Sequence, residues 1–118
     1  MGVTGIGGFF FRASDPGMLG AWYAEHLGVG AGPHGLWETG AGPSVFAPFP
    51  EASDYFPTDR AFMLNFRVDD LDALCGRLRA AGIEIIRDPA WDMPGVGRFV
   101  RIHDPEGNPV ELWQPDQA

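Results

Sequence analysis

The sequence predicts an α+β domain made of two β-α-β-β-β modules whose sheets pair around a concave pocket. Three observations lead there. A strand, an Asp cap, a helix and a closing glycine occur in that order twice along the chain. The two occurrences align at a constant offset of 55 residues, Gly8 over Met63 and Asp15 over Asp70, which matches Phe11 with Phe66, Arg12 with Arg67 and Leu19 with Leu74. Finally, the chain closes on RFVRIHDPEGNPVELWQP, which reads as two strands around a tight turn. The 118 residues suit a single domain, with module one at about 1–50, a connector at about 51–60 and module two at about 61–118.

Taken in order, Val3 to Ala13 carries Phe9-Phe10-Phe11 and reads as a strand covered on both faces, with Gly8, Phe10 and Arg12 on one side. Asp15 caps a helix that has Pro16 in its first position, and Leu19, Trp22, Tyr23 and Leu27 recur at helical spacing before Gly28 ends it. Glycine and proline then divide the chain, leaving Leu36 to Thr39 and Ser44 to Phe49 as strand candidates. Glu51 to Arg60 is a polar connector whose Tyr55-Phe56 pair must tuck against something. Ala61 to Val68 is a second strand. Asp69-Asp70 caps a helix with Leu71, Leu74, Cys75 and Leu78 on its apolar stripe, and Gly82 stops it. Ile83 to Arg87 is a short strand, and a Pro/Gly loop carrying Trp91 leads to the final hairpin. Its turn, Asp104-Pro105-Glu106-Gly107, has Asp first, Pro presetting φ second and Gly last, the pattern of a type I turn.

Composition narrows the function. With 45% hydrophobic and 13% aromatic residues the chain can build a real core, and no apolar run reaches the length of a membrane span. The start lacks the basic and cleavage features of a signal peptide and Cys75 has no partner for a disulfide, so a cytoplasmic protein is expected. Sixteen acidic residues face eight arginines and no lysine, for a net charge of −8. Nucleic acid is an unfavourable partner for such a surface, and Schiff-base chemistry on lysine is excluded. No G-x-S-x-G elbow occurs, and the glycines from Gly2 to Gly8 precede a strand, where a dinucleotide loop would follow one.

The residues Asp15 with Trp22-Tyr23 and Leu27-Gly28, Phe66 with Val68-Asp69-Asp70-Leu71, Gly82-Ile83, and above all Asp104-Pro105-Glu106-Gly107-Asn108 with Glu111-Leu112 resemble the vicinal oxygen chelate superfamily of glyoxalases, bleomycin-resistance proteins and extradiol dioxygenases. The resemblance covers nearly the whole chain. It implies the glyoxalase-like fold, a small-molecule ligand in the pocket and pairing of two copies as a homodimer. Metal-dependent members take three or four His, Glu or Gln ligands from strands of both halves. Those positions fall here on Glu111, Gly8, Met63 and Phe46. Only the first offers a donor suited to a hard divalent ion, so the expected cofactor is none. The alternative keeps nickel, zinc, manganese or iron on Glu111 and His103.

Glu111 stands in an apolar strand between Val110 and Leu112, and a lone carboxylate there needs a partner. It reads as a general acid or base, as a metal ligand, or as a carboxylate paired with Arg101, whose side chain the resemblance turns into the pocket. The resemblance also turns inward the faces that carry Arg12 and Arg67. Arg101, Arg67 or Arg12 with Asn65 would then bind a carboxylate or enolate oxygen, while Phe10, Phe46, Met63 and Trp113 supply an apolar wall. For Arg12 and Arg67 the competing reading is a strand end facing solvent or the following Asp caps. His103 is a proton shuttle, a replacement ligand or an exposed strand end. His26 and His34 show no metal-ligand spacing, and Cys75 reads as a buried thiol. Two functions follow: a metal-free small-molecule-binding protein of the resistance type, or a lyase, isomerase or dioxygenase-type enzyme of the same superfamily acting through Glu111.

Overall fold

The computed structural model describes residues 2–116, so the expected outer boundaries at 1 and 118 lie outside the described residues. The elements in chain order are α1 (Pro16–Leu27), β1 (Leu64–Arg67), α2 (Leu71–Ala80), β2 (Gly97–His103) and β3 (Pro109–Pro115), with single 3-10 turns at Pro33–Gly35 and Pro89–Trp91. The strands form one mixed sheet in the order β1-β3-β2, with β1 parallel and β2 antiparallel to β3.

Both helices start as their sequences dictate. Asp15 caps α1 by accepting from the Met18 amide at 3.1 Å, and Asp70 caps α2 by accepting from the Ala73 amide at 3.0 Å. These bonds satisfy amides that have no partner inside the helix. Gly28 ends α1 in the left-handed conformation at φ 70°. The two helix starts thus share one capping device.

The two faces of the sheet differ because side chains alternate along a strand. Leu64, Phe66, Val100, Ile102, Val110 and Leu112 share one face, and the last four are wholly buried beneath Leu19 and Tyr23 of α1 and Leu71, Leu74, Cys75 and Leu78 of α2. The odd-numbered positions turn away from the helices. Asn65, Arg67, Phe99, Arg101, Glu111 and Trp113 therefore lie together on the opposite face.

The Asp104 to Asn108 turn fastens the two halves to each other. The expected tight turn forms, with the Gly107 amide bonded to the Asp104 carbonyl at 2.9 Å and Gly107 at φ 82°. Asp104, 4% exposed, accepts from the Tyr23 hydroxyl at 2.7 Å, the Asn108 side-chain amide at 2.8 Å, and the backbone amides of Glu106 and Asn108 at 2.9 and 3.0 Å. Burial next to this carboxylate pushes the Tyr23 phenol well above its ordinary pKa, because ionising it would place two negative charges together. Glu106 reaches across to accept from the Ser14 and Asp15 amides at 2.7 and 3.0 Å, just where α1 begins. The most specific motif of the sequence is therefore a clasp between the C-terminal hairpin and the first helix.

Four expected strands do not form. Residues 3–13, 36–39 and 44–49 run without ladder bonds, and Ile83 to Arg87 contributes only an isolated bridge from Ile86 to Arg101. Nearly every residue from 2 to 10 and from 31 to 50 is exposed. Glycines raise the entropy lost on ordering these segments, and Pro33, Pro43, Pro48 and Pro50 remove ladder donors. Propensity alone does not make a strand that has no neighbour to pair with. Among the described residues no helix is long and apolar enough to cross a membrane.

Candidate functional site

The face of the sheet turned away from the helices holds two rows of side chains across its strands. One row is Asn65, Glu111 and Arg101, and the next is Arg67, Trp113 and Phe99, each set by direct register. Asn65, Arg67, Phe99, Glu111 and Trp113 of this face line an open cleft of about 2470 Å³, as do the exposed Phe10 and Phe46, whereas Arg101 is buried behind it. A pocket for a drug-sized ligand is several-fold smaller, on the order of 300–1,000 Å³, so the polar row and not the whole cleft defines the candidate site.

Glu111 is 5% exposed and both its oxygens are engaged. Oε1 accepts from Asn65 Nδ2 at 2.7 Å and Oε2 from the Tyr55 hydroxyl at 2.6 Å. Burial, and then the bond to the Glu111 carboxylate, push the Tyr55 phenol up to about 12, so it stays a donor at neutral pH. Arg101 lies directly opposite Glu111 in the ladder, yet no ion pair joins them among the described residues. The expected Arg101 partnership is replaced by a different one. Its Nη2 donates to the Tyr55 carbonyl at 3.1 Å, and its guanidinium packs against the rings of Tyr55 and Trp91 at 5.2 and 5.1 Å from their centroids. At 4% exposure its Nε has no hydrogen-bond partner.

Trp113, 7% exposed, is stacked on Phe99 with centroids 6.1 Å apart, and its indole N–H donates to the Val96 carbonyl at 2.9 Å. The two rings thus lie parallel to each other beside the polar row. Gly97 permits it, since at φ 140° an added Cβ would strike the Gln114 carbonyl and come within 2.7 Å of the indole nitrogen. Met63 precedes β1 on the same edge of the cleft and is half-buried.

The remaining expected site residues stand apart from Glu111. Arg67 donates to the carbonyls of Gly40 and Pro43, both at 2.9 Å, and so tethers that loop. Arg12 is exposed and borders a separate shallow pocket with Asp59, Arg60 and Phe62. Phe10 and Phe46 are 94% and 88% exposed, because the strands that would carry them inward are not formed. His103 is half-buried at the end of β2, paired with Pro109. Two further residues contact the row, Tyr55, which the sequence offered only as one of several aromatics that could roof the pocket or cover a partner subunit, and Trp91, to which it gave no site role. Their signal was two large aromatics in polar or Pro/Gly-rich loops, where nothing local explains them.

A divalent ion does not fit this donor set. Glu111 has both oxygens bonded to N–H and O–H donors, Gly8, Met63 and Phe46 offer nothing a hard cation prefers, and among the described residues no group of three or more His, Cys, Asp or Glu is placed to hold a metal.

The model of the glyoxalase-like domain family matches residues 8–113. The putative glyoxylase CFP32 of Mycobacterium tuberculosis is 44% identical over 50 residues, which is 42% of this chain and 19% of that protein. The anthracycline biosynthesis protein DnrV of Streptomyces peucetius is 33% identical over 67 residues, 57% of this chain and 24% of DnrV. The matched stretches thus span only about a fifth to a quarter of these curated relatives. Among solved structures, TnmS3, an antibiotic binding protein from Streptomyces sp. CB03234, superposes with a TM-score of 0.61 at 27% identity, covering 98% of this chain and 99% of its own. The small mixed sheet with two helices on one face matches the fold of TnmS3, and with nearly its entire length matched by the family, this chain belongs to the glyoxalase-like family of the vicinal oxygen chelate superfamily.

Proposed function

We propose that this chain is a small-molecule-binding protein that holds an aromatic, oxygen-bearing ligand on the sheet face without using a divalent metal. The observation that carries this reading is the row Asn65, Glu111 and Arg101 beside the Phe99–Trp113 stack, a polar strip against an aromatic floor. Such a strip orients a ligand while the rings supply contact area. The similarity to TnmS3, an antibiotic binding protein, and to DnrV, an anthracycline biosynthesis protein, supports a ligand of antibiotic size. Glu111, already accepting on both oxygens, acts as an orienting acceptor rather than as an acid or base. In this reading module one closes over the face, bringing Phe10 and Phe46 to the pocket wall beside Met63. A second copy of the chain covers the apolar surface now exposed on residues 3–10 and 36–49, giving a homodimer in the cytoplasm.

The test is a thermal-shift screen of small acids, glutathione conjugates, aromatic antibiotics and glycopeptides, run with chelator and with added divalent ions. A ligand that binds the folded state raises the transition in proportion to the logarithm of its concentration over Kd. Hits are expected with chelator present and lost in Arg101→Met. Hits that require a divalent ion would reverse the metal assignment, and conversion of a hit to product would replace the binding protein with an enzyme.

A further inference from the structure

We infer that Tyr55 is a displaceable internal occupant of the ligand site, and that the ligand it stands in for is an aromatic acid carrying a phenolic hydroxyl. The inference rests on the reading of the sheet face as a ligand site and names the class of molecule it takes.

Tyr55 presents three functions to two strands at once. Its hydroxyl donates to Glu111 Oε2 at 2.6 Å, its ring packs against the Arg101 guanidinium at 5.2 Å, and its backbone carbonyl accepts from Arg101 Nη2 at 3.1 Å. The site therefore already recognises a phenol, an arene and an acceptor oxygen. The rings of Phe49 and Trp91, 5.7 and 5.9 Å from that of Tyr55, frame the space the phenol fills.

What Tyr55 does not supply is negative charge. Arg101 is 4% exposed, no carboxylate lies within ion-pair distance among the described residues, and Nε has no partner. A buried cation with an empty donor is costly. The Nε and Nη2 hydrogens form the side-on edge of the guanidinium, which matches both oxygens of a carboxylate. A ligand carboxylate would take Nη2 from the Tyr55 carbonyl and fill the empty Nε. A neighbouring phenolic hydroxyl would replace that of Tyr55 on Glu111.

Displacement is feasible because the chain from Leu36 to Met63 contains no helix or strand. A loop of that kind opens at a small fraction of the global stability. Binding to such a site is weakened by the fraction of time the internal occupant is in place.

The experiment titrates 3-hydroxy-2-naphthoate and 2-naphthoate by calorimetry into the wild type, Tyr55→Ala and Tyr55→Phe. The hydroxy acid is expected to bind about tenfold more tightly than the acid lacking the hydroxyl, since it alone donates to Glu111. Tyr55→Ala is expected to tighten it by about a further tenfold by removing the competitor, and Tyr55→Phe by a smaller factor. Weaker binding to a Tyr55→Ala protein whose circular dichroism matches the wild type would make Tyr55 a fixed wall and overturn the inference. Equal affinity for the two acids would overturn the ligand class while leaving the face as a ligand site. Failure of both acids on all three proteins also overturns it, and the Arg101→Met thermal-shift comparison then judges separately whether the face binds any ligand.

Discussion

Replacing Asp104 with Ala tests whether the hairpin turn clasps the two halves as described. The carboxylate accepts four hydrogen bonds, three of them from donors in buried positions: the Tyr23 hydroxyl and the side-chain and backbone amides of Asn108. Alanine leaves these donors without acceptors, at about 1–3 kcal/mol for each one that water cannot reach. Partial relaxation of the turn offsets some of this, so the expected loss is about 3–5 kcal/mol. At roughly 4 °C per kcal/mol for a domain of this size, Tm falls by roughly 12–20 °C. Urea denaturation of the wild type, Asp104→Ala, Tyr23→Phe and the double variant gives the cycle. Tyr23→Phe alone is expected to cost about 1 kcal/mol, and Asp104→Ala to cost about 1 kcal/mol less in that background, because the stranded phenol is gone. A loss below about 1 kcal/mol, or strict additivity of the two substitutions, would refute a buried clasp, because groups in direct contact through a hydrogen bond must couple.

Glu106→Ala removes the two bonds to the Ser14 and Asp15 amides and is expected to cost about 1 kcal/mol, with faster hydrogen exchange at the start of α1 than in the rest of that helix. Gly97→Ala forces a Cβ onto the Gln114 carbonyl at a positive φ, and a loss of about 2–4 kcal/mol is expected in the same denaturation assay, with quenching or shift of Trp113 fluorescence. Alkaline pH is expected to destabilise the fold. The folded-state pKa values of Tyr23 and Tyr55 are raised, so both phenols lose their protons first in the unfolded chain. Their contribution is intact below about pH 10 and declines as pH rises through the folded values, by up to about 1.4 kcal/mol per pH unit for each group. For the half-exposed Tyr55 screening by solvent reduces the effect, so Tyr23→Phe should flatten the stability profile above pH 10 more than Tyr55→Phe does.

Much of the architecture was legible because it is local. Asp15 with Pro16, Asp70 with its apolar stripe, Gly28, and the Asp104-Pro105-Glu106-Gly107 turn each encode their own geometry in a few residues, and each forms where the sequence places it. The resemblance grouped Asn65, Arg101, Glu111 and Trp113 around one pocket, but that they share a face of the sheet is known only from the strand register. The segments around Phe10 and Phe46 also have strand character, but a strand exists only with a bonded neighbour, and none pairs with them among the described residues. Sequence order likewise could not show that Glu111 would take its hydrogen bonds from Tyr55, 56 residues away, while Arg101 stands opposite it unpaired. A ladder position sets which side chains are adjacent. Which of them bond is decided by what else packs onto the face, and here that is a connector tyrosine whose phenol takes the carboxylate while its ring and carbonyl engage the arginine.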